Sequence, residues 1–245
     1  MQVVTVLALA GGMGRTTTAV QLGLLLAERS RVLVVDLDPQ ASATTGLGGP
    51  LSVTAPSVLE VLMGTVSIQE ALREVGSGLW VVGADRGLGL ELNGLPPYQQ
   101  ELLLQHKLKL VAHDFDYVVV DTMSAKTVLT VMACCAADTL VIPMDVTPKG
   151  LVAVVETLAF LTELREVGLQ VGELLGVLPM REVWIGQRQP RAVQEILRQV
   201  DDLGVTKLAG VREFLGVKMA LGATLLGENS LWPYRDIVRR LNSHG

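Results

Sequence analysis

Short runs of Val, Leu and Ile alternate along the chain with longer stretches in which apolar residues recur every three or four positions. The runs are apolar on consecutive residues, as in strands buried on both faces of a parallel sheet, and the stretches between them have the period of amphipathic helices. Strands are predicted at Val3–Leu9, Arg31–Asp36, Leu79–Gly83, Tyr117–Asp121, Thr139–Pro143 and Leu174–Leu178. Helices are predicted at Thr16–Arg29, Ser57–Met63, Ser67–Glu74, Tyr98–His113, Lys126–Ala136, Pro148–Val167 and Pro190–Asp201. Ser57 with Glu60 and Ser67 with Glu70 have the spacing of capping boxes, which marks two helix starts. The alternation predicts an α/β fold, a doubly wound and mostly parallel sheet flanked by helices, with ligands at the carboxyl edge. Gly83–Pro97, rich in Gly and Pro, reads as a loop over the sheet rather than a boundary, so residues 1–245 are expected to form one domain.

Composition sharpens this picture. With 49% hydrophobic and 4% aromatic residues the core must be aliphatic, and a globally disordered chain is excluded. Mean hydropathy is +0.43, yet no window offers the roughly 18 uninterrupted apolar residues of a spanning helix. The opening MQVVTVLALAGG lacks a basic segment and runs straight into a glycine loop, so it reads as a first strand rather than a signal peptide. Cys134 and Cys135 are adjacent, and His106, His113 and His244 are scattered, which argues against a metal cluster or a disulfide framework and for buried helix packing in a cytoplasmic protein.

Candidate chemistry begins after the first strand. In Gly11–Thr18, GGMGRTTT, a glycine loop leads into a helix, the order that aims backbone N–H groups and the positive helix end at an anion. Thr16 stands where a phosphate loop places the hydroxyl that binds Mg²⁺, and Thr17 is within reach of an α-phosphate. The strand VLVVD then delivers Asp36 and Asp38 to the carboxyl edge, and YVVVD delivers Asp121 there. Three carboxylates at strand ends beside a phosphate loop predict a magnesium-nucleotide site.

These residues, with DLDPQASATTGLG and Tyr117–Leu151, resemble the ParA/Soj/MinD ATPases with a deviant Walker A motif, which position plasmids, chromosomes, division sites and other cargo. The resemblance implies a P-loop NTPase fold that binds ATP or ADP with Mg²⁺ through Gly11, Gly12, Met13, Gly14, Arg15, Thr16 and Thr17, with Pro179 and Met180 near adenine. By position it assigns water orientation to Asp38, support of the magnesium shell to Asp36 and the Walker B carboxylate to Asp121, with Thr16 as a further metal ligand. It also implies an ATP-dependent homodimer, nonspecific binding of double-stranded DNA, a ParB-like or cargo-adaptor partner and a cytoplasmic, nucleoid-associated location.

The departures are specific. Where the family motif reads KGGxGKTT, this chain has Ala10 and Arg15 in place of both lysines, and Met123 and Ser124 replace the usual prolines of the second switch. An arginine fork pairs with phosphate oxygens but cannot occupy the point taken by an ammonium. Arg15 and Asp38 are therefore the candidate catalytic residues of an ATPase expected to be slow.

Net charge is −5, but unevenly spread: from Arg181 onward ten basic residues face seven acidic ones. Arg191, Arg198, Arg212, Lys218, Arg235, Arg239 and Arg240 are the candidates for a DNA-binding face. Near the C-terminus Tyr234, Ile237, Val238 and Leu241 share one helical face, which reads as a helix docked on the domain, its start broken by Pro233. The alternatives are a nucleotide-binding scaffold that does not hydrolyse ATP, a MinD-like regulator at a membrane, and a P-loop enzyme acting on a small metabolite.

Overall fold

The computed structural model describes residues 1–48, 56–85, 87, 100–212 and 228–243. Seven strands form one sheet in the order β3-β4-β2-β5-β1-β6-β7. They are β1 (Gln2–Val6), β2 (Val32–Leu37), β3 (Arg73–Gly76), β4 (Leu79–Val82), β5 (Tyr117–Thr122), β6 (Thr139–Asp145) and β7 (Glu173–Met180). All neighbours pair in parallel except β3 with β4. The Val-rich runs are strands because both of their faces are covered. Val118, Val119 and Val120 are all fully buried, with Val118 and Val120 in one cluster and Val119 in the other.

The helices are α1 (Arg15–Ala27), α2 (Ser42–Gly48), α3 (Val58–Met63), α4 (Ile68–Ala71), α5 (Leu103–Lys109), α6 (Val128–Ala136), α7 (Pro148–Glu166), α8 (Arg191–Asp202) and α9 (Glu228–Ser243). Both capping boxes are formed, at Ser57 and Ser67. Cys134 and Cys135 are free thiols buried in α6, and burial pushes the Cys134 thiol up to about 12, out of reach of nucleophilic chemistry.

Several expectations are corrected. The helix predicted over Ser67–Glu74 stops at Ala71, where Leu72 turns extended, and Arg73–Gly76 becomes the antiparallel edge strand β3. The stretch predicted as Tyr98–His113 holds a 3₁₀ turn at Gln100–Leu102 and the shorter α5; Tyr98, like most of Gly83–Pro97, lies outside the described residues. The polar segment after Asp38 contains α2. Helix α9 is not broken at Pro233 but runs through it. A proline there lacks one N–H for the first turns, and this loss is offset by burial of Leu231, Tyr234, Ile237 and Leu241 in the cluster that also holds Leu22, Leu25 and Leu26 of α1.

Candidate nucleotide site

The turn from β1 to α1 is shaped by two glycines in left-handed backbone, Gly12 at φ 83° and Gly14 at φ 91°. Gly14 caps α1 without any side-chain oxygen on the first-turn N–H groups, and no acidic residue stands in that turn. The helix start therefore offers positive dipole and backbone donors to an incoming anion. Met180, at the end of β7, closes the floor of this turn. Its Cε would lie 2.8 Å from a Cβ at position 14, and its Sδ accepts from Thr18 Oγ1 at 3.9 Å and from the Tyr234 hydroxyl at 3.7 Å.

Beside the loop, β5 brings up Asp121, fully buried, whose Oδ2 accepts from Thr16 Oγ1 at 2.7 Å. Its other oxygen, Oδ1, has no hydrogen-bond partner among the described residues. Burial, then the neighbouring Asp36, push the Asp121 carboxyl up to about 8. A buried carboxylate with one orphan oxygen next to a threonine hydroxyl is a donor pair suited to a hard divalent cation, whose charge would reverse that shift. The residues present thus fit Mg²⁺ at the loop.

Asp36 is equally buried, but both of its oxygens are already used. Oδ1 accepts from the Asp38 N–H at 3.0 Å, and Oδ2 accepts from the Thr44 N–H at 2.8 Å and Thr44 Oγ1 at 2.7 Å. Asp36 therefore shapes the segment from Asp38 to α2. That segment leaves Asp38 half-buried at the rim, its Oδ1 accepting from the Gln40 N–H at 2.9 Å.

Arg15 does not extend into the cradle. Its guanidinium turns inward, only 9% exposed, where Nη1 donates to the carbonyls of Ala8 at 2.7 Å and Ala10 at 2.6 Å, and Nε donates to Thr122 at 2.8 Å. Two more cations hold the loop from outside. Lys149 Nζ donates to Gly11 O at 3.4 Å, and Arg181 donates through Nη2 to Gly12 O at 2.8 Å and through Nε to Asp145 Oδ1 at 2.9 Å.

A family described as an AAA domain matches residues 1–171. The maintenance of carboxysome distribution protein A of Synechococcus elongatus is 34% identical, with 98% of this chain and 99% of that protein covered. The chain belongs to the ParA-like ATPase family. The chromosome partitioning protein ParA of Myxococcus xanthus is 36% identical over 55% of this chain and 49% of its own length. The ATP complex of a Cyanothece McdA variant superposes with a TM-score of 0.91 at 28% identity, covering 99% of this chain and 96% of that one. The fold is accordingly the P-loop NTPase fold of these ATPases.

Against this ParA-like frame, Gly11, Gly12, Gly14, Thr16 and Thr17 lie on the phosphate loop or the first turn of α1, and Thr16, Asp36 and Asp121 converge below them. Met13 is 2% exposed and packs with Ala8 and Ala153, so only its backbone faces the loop. Pro179 and Met180 end β7 next to the loop, with Met180 beneath it. Sequence reasoning missed Thr44, Lys149 and Arg181. A threonine in the polar stretch SATTGLG after Asp38 was the available signal for the first, but nothing local marks the other two.

The basic candidates are dispersed. Arg191 and Arg198 lie on α8, where Arg198 pairs with Glu195 at 2.7 Å and Asp202 at 2.8 Å. Arg212 lies 4.1 Å over the Trp184 ring. On α9, Arg235 pairs with Glu28 at 3.1 Å and Arg240 with Asp236 at 2.9 Å. Arg239 is exposed and lines, with Arg29 and Arg235, a groove between α9 and the C-terminal end of α1. Lys218 lies outside the described residues.

Proposed function

We propose that the chain is a ParA-like nucleotide switch that positions a cargo. In this reading residues 1–245 form one domain that binds ATP with Mg²⁺, dimerises in the ATP state and holds double-stranded DNA without sequence preference. A ParB-like or cargo-adaptor protein then releases it, in the cytoplasm and on the nucleoid. The observation that carries the reading is the Thr16–Asp121 pair with its orphan oxygen, set beside a helix start free of acidic and capping side chains. The role in the name of the Synechococcus relative, maintenance of carboxysome distribution, supports a cargo of that kind.

The loop N–H groups would orient the phosphates, while Thr16 and Asp121 hold the cation and Asp36 sets the position of Asp38. Bound Mg²⁺ would supply charge that offsets the build-up on the transferred phosphoryl group. Asp38, at the rim, would orient the attacking water. With the apolar face of α9 packed against α1, the observations favour DNA and an adaptor over a membrane, and among the described residues no helix is long and apolar enough to cross one.

A second reading, a scaffold that binds nucleotide without hydrolysing it, is favoured by the inward guanidinium of Arg15. One experiment separates the two: ATP binding and hydrolysis measured independently, with and without random-sequence duplex. Binding and measurable turnover support the switch, binding without turnover supports the scaffold, and no binding at millimolar MgATP, weaker than about −4 kcal/mol, removes both.

A further inference from the structure

The ladder between β1 and β5 ends at Val6 and Asp121. Beyond it the backbones diverge, β1 into the phosphate loop and β5 into the second switch at Met123 and Ser124. One short link remains at the fork, where Thr122 Oγ1 donates to Val6 O at 2.8 Å. Arg15 carries the connection further. Nη1 takes the carbonyls of Ala8 and Ala10 on one branch, and Nε takes the carbonyl of Thr122 on the other. In a trans peptide the N–H of the following residue points opposite to the carbonyl, so a hydrogen bond that draws the Ala10 oxygen inward turns the Gly11 N–H away from Arg15.

We propose that Arg15 is a positioning residue, an internal strut that joins the phosphate loop to the second switch through backbone carbonyls and stays in place when nucleotide binds. This rests on the nucleotide-switch reading only in its ligand-bound half; the nucleotide-free half stands on the geometry alone. A lysine could not do the same, because its donors sit on a single nitrogen and it has none at the Nε position, whereas the planar arginine fork addresses both branches from separate atoms. Burial among these three carbonyls lowers the Arg15 pKa from its ordinary value, and the nearby Asp121 and Asp38 oppose that shift.

The test is NMR of the arginine Nε–H groups of the full chain, with Arg15 assigned through its backbone connectivities. The strut predicts one Nε–H signal that exchanges with water at least tenfold more slowly than those of the exposed arginines. It also predicts that this signal persists at saturating MgADP. Rapid exchange in the nucleotide-free protein overturns the strut, and loss of protection on MgADP binding overturns the claim that it stays in place when nucleotide binds. If MgADP does not bind at all, the functional reading fails while the nucleotide-free signal still decides whether the strut exists. In Arg15→Lys, amides of residues 9–12 and 122–125 should exchange at least fivefold faster, with β6 and β7 unchanged. Equal exchange in variant and wild type counts against the proposal, and if the variant does not fold, the wild-type titration decides alone.

Discussion

Asp36 on β2 and Asp121 on β5 are cross-strand partners in register, both fully buried, so two carboxyl groups are held side by side by a sheet that cannot let them part. Asp36 is stabilised by three hydrogen bonds from its own segment. Asp121 has one, from Thr16; burial raises the pKa of both carboxyls, and that of Asp121 reaches about 8.

A pH dependence follows from this pair. Between about pH 4 and pH 8 the folded protein keeps a proton on Asp121 that the unfolded chain has lost, so nucleotide-free stability falls as pH rises through that window. Asp121→Asn should raise the melting temperature at pH 8 by roughly 5 °C, about 2 kcal/mol, with the difference shrinking toward pH 5. Mg²⁺ should raise the melting temperature of the wild type at pH 8 and leave the variant unmoved. Calorimetry of both proteins at pH 5 and pH 8, with and without Mg²⁺, gives the eight melting temperatures that check this.

Gly14→Ala tests the loop. The left-handed backbone at φ 91° costs a residue with a Cβ about 1–2 kcal/mol, and the Met180 side chain must also shift. The variant is expected to melt lower by a few degrees and to bind MgADP at least tenfold more weakly in titration calorimetry. Unchanged affinity would place the anion elsewhere.

For Asp38→Ala the expectation is a split. Asp38 lies half-buried at the rim, its Oδ1 accepting from the Gln40 N–H. ATP affinity should stay within threefold of wild type while kcat falls at least about 100-fold, some 2.7 kcal/mol. Equal loss in both would mean that the substitution disturbs the segment as a whole.

DNA binding should be electrostatic and uneven among the arginines. Affinity for random duplex is expected to fall with salt at a log-log slope of about −0.9 per phosphate neutralised. Arg239→Glu and Arg191→Glu should weaken it more than Arg198→Glu, since Arg198 already faces two carboxylates. Fluorescence anisotropy at several salt concentrations, with ATP present, checks the ranking, and indifference to all three reversals would end the DNA reading.

What could be read in advance was what depends on burial alone. Six strands were legible because buried parallel strands need apolar residues on both faces, and α1 and α7 because their periods are long. Strand β3 was hidden because REVG alternates between half-buried and exposed at a sheet edge and looks like the tail of a helix. Helix α2 was hidden because SATTGLG has poor helix propensity and is held by Asp36 bonding Thr44, a contact eight residues away. The type of site was written in GGMGRTTT and three aspartates. The direction of Arg15 was not, since it depends on where Thr122, over a hundred positions along the chain, turns its carbonyl.

Met180 belongs to two neighbourhoods at once. Its methyl end lies under Gly14, while its sulfur accepts from Thr18 and from the hydroxyl of Tyr234 on α9. Free energies measured at the loop and at α9 are therefore not independent quantities. The cost of truncating Tyr234 and the cost of enlarging Gly14 meet in the same side chain, and the double variant will not show their sum.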